Sequence, residues 1–170
     1  RAVLDEIEGS YIEVTLERSG LFAYLFVSTT RPGGVGQWRT EDDVTLTMRQ
    51  GVLIATRGLG GDLVSSAVAT APDRLGPAGG GERVMFIRTG DLEERRLGLA
   101  CALQDLGPAT ITIVEQAQAT RHLQERCTTP DGGEIVNDYW TDARQGLVWQ
   151  SRQWAGPHIG YLRIRRLTTG

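Results

Sequence analysis

Apolar and polar residues alternate with a period of two along much of this chain. Ile12, Val14 and Leu16 interleave with Glu13, Thr15 and Glu17, and Val44, Leu46 and Met48 interleave with Thr45, Thr47 and Arg49. Leu162 and Ile164 continue the scheme toward Leu167, with a slip at Arg165 and Arg166. Such alternation marks strands with one dry and one wet face, which is the pattern of antiparallel sheet. Further strands are predicted over 21–30, 51–57, 83–89, 94–103, 109–115, 119–127, 134–141 and 147–154. Turn chemistry separates them at Gln50-Gly51, Asp131-Gly-Gly133, Gln145-Gly146 and Gly156-Pro157.

Many short strands at near-regular spacing predict an all-β fold: a large antiparallel sheet curled into a sandwich or an open barrel. Helix signal is weak. Residues 1–8 are one candidate turn of helix, and residues 60–66, with Asp62 near the start, are another. Residues 71–82 are rich in proline and glycine and read as a flexible loop joining two groups of strands. Neither group alone has enough strands to close a core, so residues 1–170 form one domain.

Composition adds exclusions. At 40% apolar and 23% charged residues the chain is ordinary globular protein. A net charge of -3 gives no electrostatic case for nucleic acid, which needs a basic face. No run approaches the ~20 apolar residues of a spanning helix. The chain starts at Arg1 rather than methionine, which is compatible with a processed or trimmed N-terminus.

Two cysteines, Cys101 and Cys127, lie 26 positions apart, too far for a close metal-knuckle pattern. Free thiols are the cytosolic expectation and a single disulfide the exported one, and little else here looks cytosolic. Geometry pulls the other way. If 94–103, 109–115 and 119–127 form a simple meander, the two cysteines sit two strands apart, about 9.5 Å. A disulfide needs Cα atoms within about 7 Å. Either the sheet brings the outer strands together or the thiols are free.

Catalytic patterns are sparse. His122 and His158 have no neighbour at metal-ligand spacing, so no metal site is expected. Ser151 sits inside a strand rather than on a sharp elbow, and reads as a sheet residue with a local hydrogen bond. Asp42 with Asp43, Glu93 with Glu94, and Asp138 with Asp142 are acidic pairs, but turn positions and neighbouring arginines account for most of them. Residues 56–62 resemble a phosphate loop only superficially: the lysine and its spacing are missing, and a glycine-rich bend is expected. No cofactor motif is present.

The aromatic residues carry the one binding alternative. Flat rings pack on the C–H faces of sugars, and amide or guanidinium neighbours hydrogen-bond hydroxyls. Trp38, Trp140, Trp149 and Arg152 are the candidate ligand-binding residues, on the wet face of the C-terminal strands. Parity puts Trp149 with Ser151 and Gln153 and sets Trp154 on the opposite face, unless a bulge intervenes.

Three blocks carry a family resemblance: Trp38 to Met48, Gly51-Val-Leu-Ile-Ala-Thr-Arg-Gly-Leu-Gly-Gly-Asp-Leu63, and Gly146 to Pro157 followed by Gly160-Tyr-Leu. Their order and spacing resemble the YjbF-type lipoproteins, the group 4 capsule (GfcB-like) family. The resemblance implies an exported lipoprotein on the periplasmic side of the bacterial outer membrane. It would be held by an N-terminal lipid anchor absent from this chain and associated with exopolysaccharide or capsule secretion. It favours the Cys101–Cys127 disulfide, because the periplasm is oxidising. It brings no catalytic residues and no cofactor. The expected role is therefore a non-enzymatic accessory of polysaccharide export or assembly, with polysaccharide or secretion proteins as partners. A polysaccharide hydrolase with paired carboxylates and a periplasmic carrier of apolar ligands are the alternatives.

Overall fold

The computed structural model describes residues 9–68, 80–89, 93–144 and 146–168. Among these there is no helix, and twelve strands follow one another: β1 (Tyr11–Leu16), β2 (Phe22–Arg31), β3 (Val35–Arg39), β4 (Thr45–Arg49), β5 (Val52–Arg57), β6 (Leu63–Val68), β7 (Gly80–Arg88), β8 (Glu94–Ile113), β9 (Gln116–Thr128), β10 (Glu134–Asp142), β11 (Val148–Trp154) and β12 (Tyr161–Arg166). All pair antiparallel in a single sheet of order β5-β4-β3-β2-β1-β12-β11-β10-β9-β8-β7-β6. The terminal strands β5 and β6 are consecutive in the chain and lie side by side, so the sheet curls into a nearly closed barrel. Near-closure leaves little free edge for pairing with other chains.

Four expectations need correction. Residues 63–68 are strand, not helix. Asp62 caps a bend instead, its carboxylate accepting from the Thr56 hydroxyl (2.8 Å), Gly58 N (3.0 Å) and Leu59 N (3.1 Å). Residues 94–113 form one twenty-residue strand rather than two. The run Asp105-Leu-Gly-Pro108 looks like a turn, but it is a bulge against β9, with Asp105 paired to Leu123 and Pro108 to Arg121. A bulge accommodates a proline that cannot donate to a ladder. The short strand β3 has no counterpart in the alternation pattern, because its five residues hold only two large apolar side chains, Val35 and Trp38. The helical candidate at 1–8 and most of the proposed loop, 71–79, lie outside the described residues; 80–82 open β7.

The single strand resolves the cysteine geometry. Cys101 on β8 is directly opposite Cys127 on β9, and the two form a disulfide with Cα atoms 4.0 Å apart.

Alternate residues of each strand face the lumen. Apolar side chains from all around the sheet meet there, Ile12, Leu25, Leu46 and Leu53 with Met85, Leu99 and Ile135. Set among them is a buried polar cluster. Arg83 pairs with Glu125 (3.0 Å), Asn137 donates to the same carboxylate (3.0 Å), and Trp154 N donates to Asn137 (2.8 Å). Burial pushes the Tyr139 hydroxyl well above its usual range, so it stays neutral and donates to Gln153 Oε1 (3.3 Å). Gln153 fills the middle of the barrel. Its oxygen also accepts from Leu53 N (2.7 Å), and its nitrogen donates to Gly51 O (2.8 Å) and Ser151 Oγ (3.0 Å). Every hydrogen-bonding position of this buried amide is used, which is the condition for a polar group to sit in a core without penalty.

Gln50 and Gly51 both have positive φ (49° and 83°), as a two-residue hairpin turn between β4 and β5 requires. Gly51 also presses on β11: a Cβ there would lie 2.5 Å from the Val148 side chain.

Candidate functional site

Two features of the barrel are open to ligands: a row of side chains on the outside, and a cavity at one end. The outer row crosses five strands. Register aligns Gln124, Asp138, Arg152 and Arg163 from β9 to β12, and beside them His122, Trp140, Gln150 and Arg165, which leads to Glu13 on β1. At about 4.8 Å between strands, the row spans roughly 19 Å.

These side chains are held in place. The His122 ring stacks on Trp140 with centroids 4.5 Å apart and planes 10° from parallel. Its Nε2 is 2.7 Å from Asp138 Oδ1, which also accepts from Gln124 Nε2 (3.0 Å). Arg152 donates twice to Glu17, at 2.7 Å each, and its guanidinium lies 3.6 Å over the Tyr161 ring. Arg163 adds a third bond to Glu17 (3.0 Å). The Arg152 hydrogen bonds, with help from Arg163, outweigh partial burial and hold the Glu17 carboxyl at a pKa of about 2. Tyr161 is anchored in turn by accepting from Val136 N (3.0 Å).

Of the four residues singled out from sequence, Trp140 and Arg152 share this outer row, and two do not. Trp38 is 5% exposed and faces the barrel interior. Trp149 is 4% exposed and lies under the tip of the β8–β9 hairpin, packed with Ile113 and Leu167. A bulge explains Trp149. Trp140 pairs with Gln150 but Thr141 pairs with Val148, so Trp149 is the extra residue and leaves the alternation shared by Ser151 and Gln153. Its indole N–H donates to Asp142 (3.3 Å). The hairpin tip itself is clamped by Arg165, which donates to Thr112 O (2.8 Å).

Two of the three acidic pairs serve structure. Asp42 bonds the Thr40 hydroxyl, and Asp43 pairs with Arg39 (3.1 Å), in one turn. Asp138 and Asp142 are engaged as described above. Ser151 is 2% exposed and takes the local hydrogen bond expected of it. Among the described residues, the one cluster of three groups with metal-ligand chemistry is Cys101, Cys127 and Glu125. Its sulfurs are committed to the disulfide.

The second feature is a half-open cavity of about 750 Å³ at the barrel mouth. Trp38, Met48, Ile12 and Ile164 are among the residues that line it, and none of its described lining residues carries a carboxylate.

The His122–Trp140–Asp138 grouping went unread in the sequence, although a signal exists. A hairpin centred on Asp131 must set residue 122 opposite 140 and 124 opposite 138, and the structure has this register.

Comparison with known proteins agrees with the architecture. The family model described as "Group 4 capsule polysaccharide lipoprotein gfcB, YjbF" matches residues 1–167. A search of curated proteins finds no match. Among solved structures, the chain is similar to the hypothetical lipoprotein YmcC from Escherichia coli (K12), with a TM-score of 0.87 and 18% identity. The likeness covers 99% of this chain and 88% of that one. At that identity it speaks for the fold alone.

Proposed function

Because the chain belongs to the YjbF family of group 4 capsule polysaccharide lipoproteins, we propose that it is a non-enzymatic accessory of exopolysaccharide or capsule export or assembly. In this reading it works by contact, touching polysaccharide or secretion proteins from the periplasmic side of the outer membrane, where an N-terminal lipid holds it. The disulfide suits that oxidising compartment.

The observation that carries the reading is the outer row. A tryptophan, amides and arginines lie on one rigid face, long enough for a short oligosaccharide. Ring stacking supplies apolar contact, and amide or guanidinium groups meet hydroxyls. Side chains already locked by Glu17 and Asp138 lose little entropy when a ligand arrives. The hydrolase alternative wants two carboxyl groups across a cleft at defined separation, whereas Asp138 and Asp142 are tied to His122 and Trp149.

Calorimetric titration of the purified protein with the cognate exopolysaccharide tests this. Trp140→Ala abolishes or strongly weakens the heat of binding if the row is the contact surface. Unchanged binding by that variant contradicts the assignment.

A further inference from the structure

The cavity at the barrel mouth has a composition that the outer row does not explain. It lies where the β2–β3 turn (Arg31, Gly34), the β4–β5 turn (Gln50, Gly51) and the β10–β11 connection (Leu147, Val148) converge. Its lining is mixed: beside apolar residues such as Ile12, Met48 and Ile164 it includes the hydroxyl residues Ser10, Thr141 and Ser151, all buried. Two arginines, Arg31 and Arg166, line it with no carboxylate among the described lining residues. Arg166 Nε donates to Thr168 O (2.8 Å), and its guanidinium carbon is 5.7 Å from the Trp38 ring. Burial pulls the Arg166 pKa down, as expected of a cation taken from water with no carboxylate beside it.

We propose that this mouth binds a sugar ring bearing a carboxylate, with Trp38 under the apolar face of the ring and Arg166 and Arg31 on the acid. The inference rests on the polysaccharide association proposed above. It adds the charge class of the sugar and a site separate from the outer row. An indole, hydroxyl groups and two guanidiniums with no carboxylate among the described lining residues match the three surfaces of a uronic acid: C–H face, hydroxyl rim and carboxylate. A bound anion also offsets the desolvation of Arg166, for which no described residue of the cavity wall supplies a countercharge. The volume suits one or two sugar rings.

An acyl chain fits the site poorly. It needs an apolar tunnel leading inward, but the cavity reaches Ser151, and behind Ser151 the lumen is filled by Gln153 and Tyr139.

The test is a fluorescence titration of the full chain carrying Trp140→Phe, which removes the outer tryptophan from the signal. The probes are an oligogalacturonate, an uncharged malto-oligosaccharide of the same length, and oleate. The expected result is saturable binding of the uronate only, weakened about tenfold or more by Arg166→Gln and weakened by added salt. Arg31→Gln, at an exposed rim position, weakens it as well and keeps the test valid if Arg166→Gln fails to fold. Equal binding of the neutral sugar, preference for oleate, or indifference to both arginine variants overturns the proposal. The two sites fail separately. Polymer binding that survives Trp140→Ala removes the outer row and leaves the mouth standing. Polymer binding lost in Trp140→Ala, together with a silent uronate titration, removes the mouth alone.

Discussion

Gln153 on β11 reaches through the middle of the barrel to accept the Leu53 N–H of β5 at 2.7 Å, and returns a hydrogen bond to Gly51 O at 2.8 Å. β5 is one end of the sheet order, with a ladder partner on one side only, in β4. A single amide thus ties a terminal strand to the opposite wall, at a point where β5 carries a bulge against β4.

Replacing Gln153 with leucine removes that tie and leaves buried backbone groups without their partner. Each stranded group costs about 1–3 kcal/mol, so with two of them Gln153→Leu destabilises by roughly 2–6 kcal/mol. Urea denaturation measures it. A change below about 0.5 kcal/mol, the level of a neutral surface substitution, would show that the lumen tolerates an apolar filler.

Reducing the Cys101–Cys127 bridge releases a constraint on a 26-residue separation. In the chain-entropy model this costs about 3.5 kcal/mol. The denaturation midpoint of the Cys101→Ala, Cys127→Ala protein should fall accordingly, and added reductant should shift the wild type but not the variant. A reductant-insensitive wild type would mean that the thiols are not bridged in solution.

Glu17 has a carboxyl pKa lowered from 4.5 to about 2 by Arg152 and Arg163. A depressed carboxylate contributes its stability above the unfolded-state value and loses it as pH falls through the folded one. Stability from this group is therefore complete above about pH 5, declines below 4.5, and is gone below about 2. The stability gap between wild type and Glu17→Gln should shrink across that window. A gap that stays constant from neutral pH to pH 2 would falsify the Arg152–Glu17 linkage.

Much of the architecture was legible in the sequence, and the reasons are local. Alternation around Ile12, Leu46 and Leu162 names strands because burial on one face enforces a period of two. The Gln50-Gly51 turn is readable because its φ values favour glycine at Gly51. What escaped was decided by partners remote in the chain. Asp105 to Pro108 has turn composition, yet β9 pairs on both sides of it and makes it a bulge. Trp149 was assigned by parity to the face of Ser151, and one extra residue against β10 moved it under Ile113. Trp38 reads as a surface ring because β3, five residues long, is too short to show which of its faces is dry. Trp140 and Arg152 lie on a surface row, but of their neighbours His122 comes from β9, Asp138 from β10 and Glu17 from the turn after β1.

The central claim is that this barrel holds polysaccharide and leaves its bonds intact. The most direct measurement is the molar mass of the cognate polymer, by light scattering coupled to size exclusion, after prolonged incubation with stoichiometric protein. The account predicts co-elution of protein with polymer, loss of that co-elution in Trp140→Ala, and a polymer mass equal to the protein-free control once the protein is removed. Progressive shortening of the polymer, abolished when a carboxylate such as Asp138 is changed to asparagine, would contradict it.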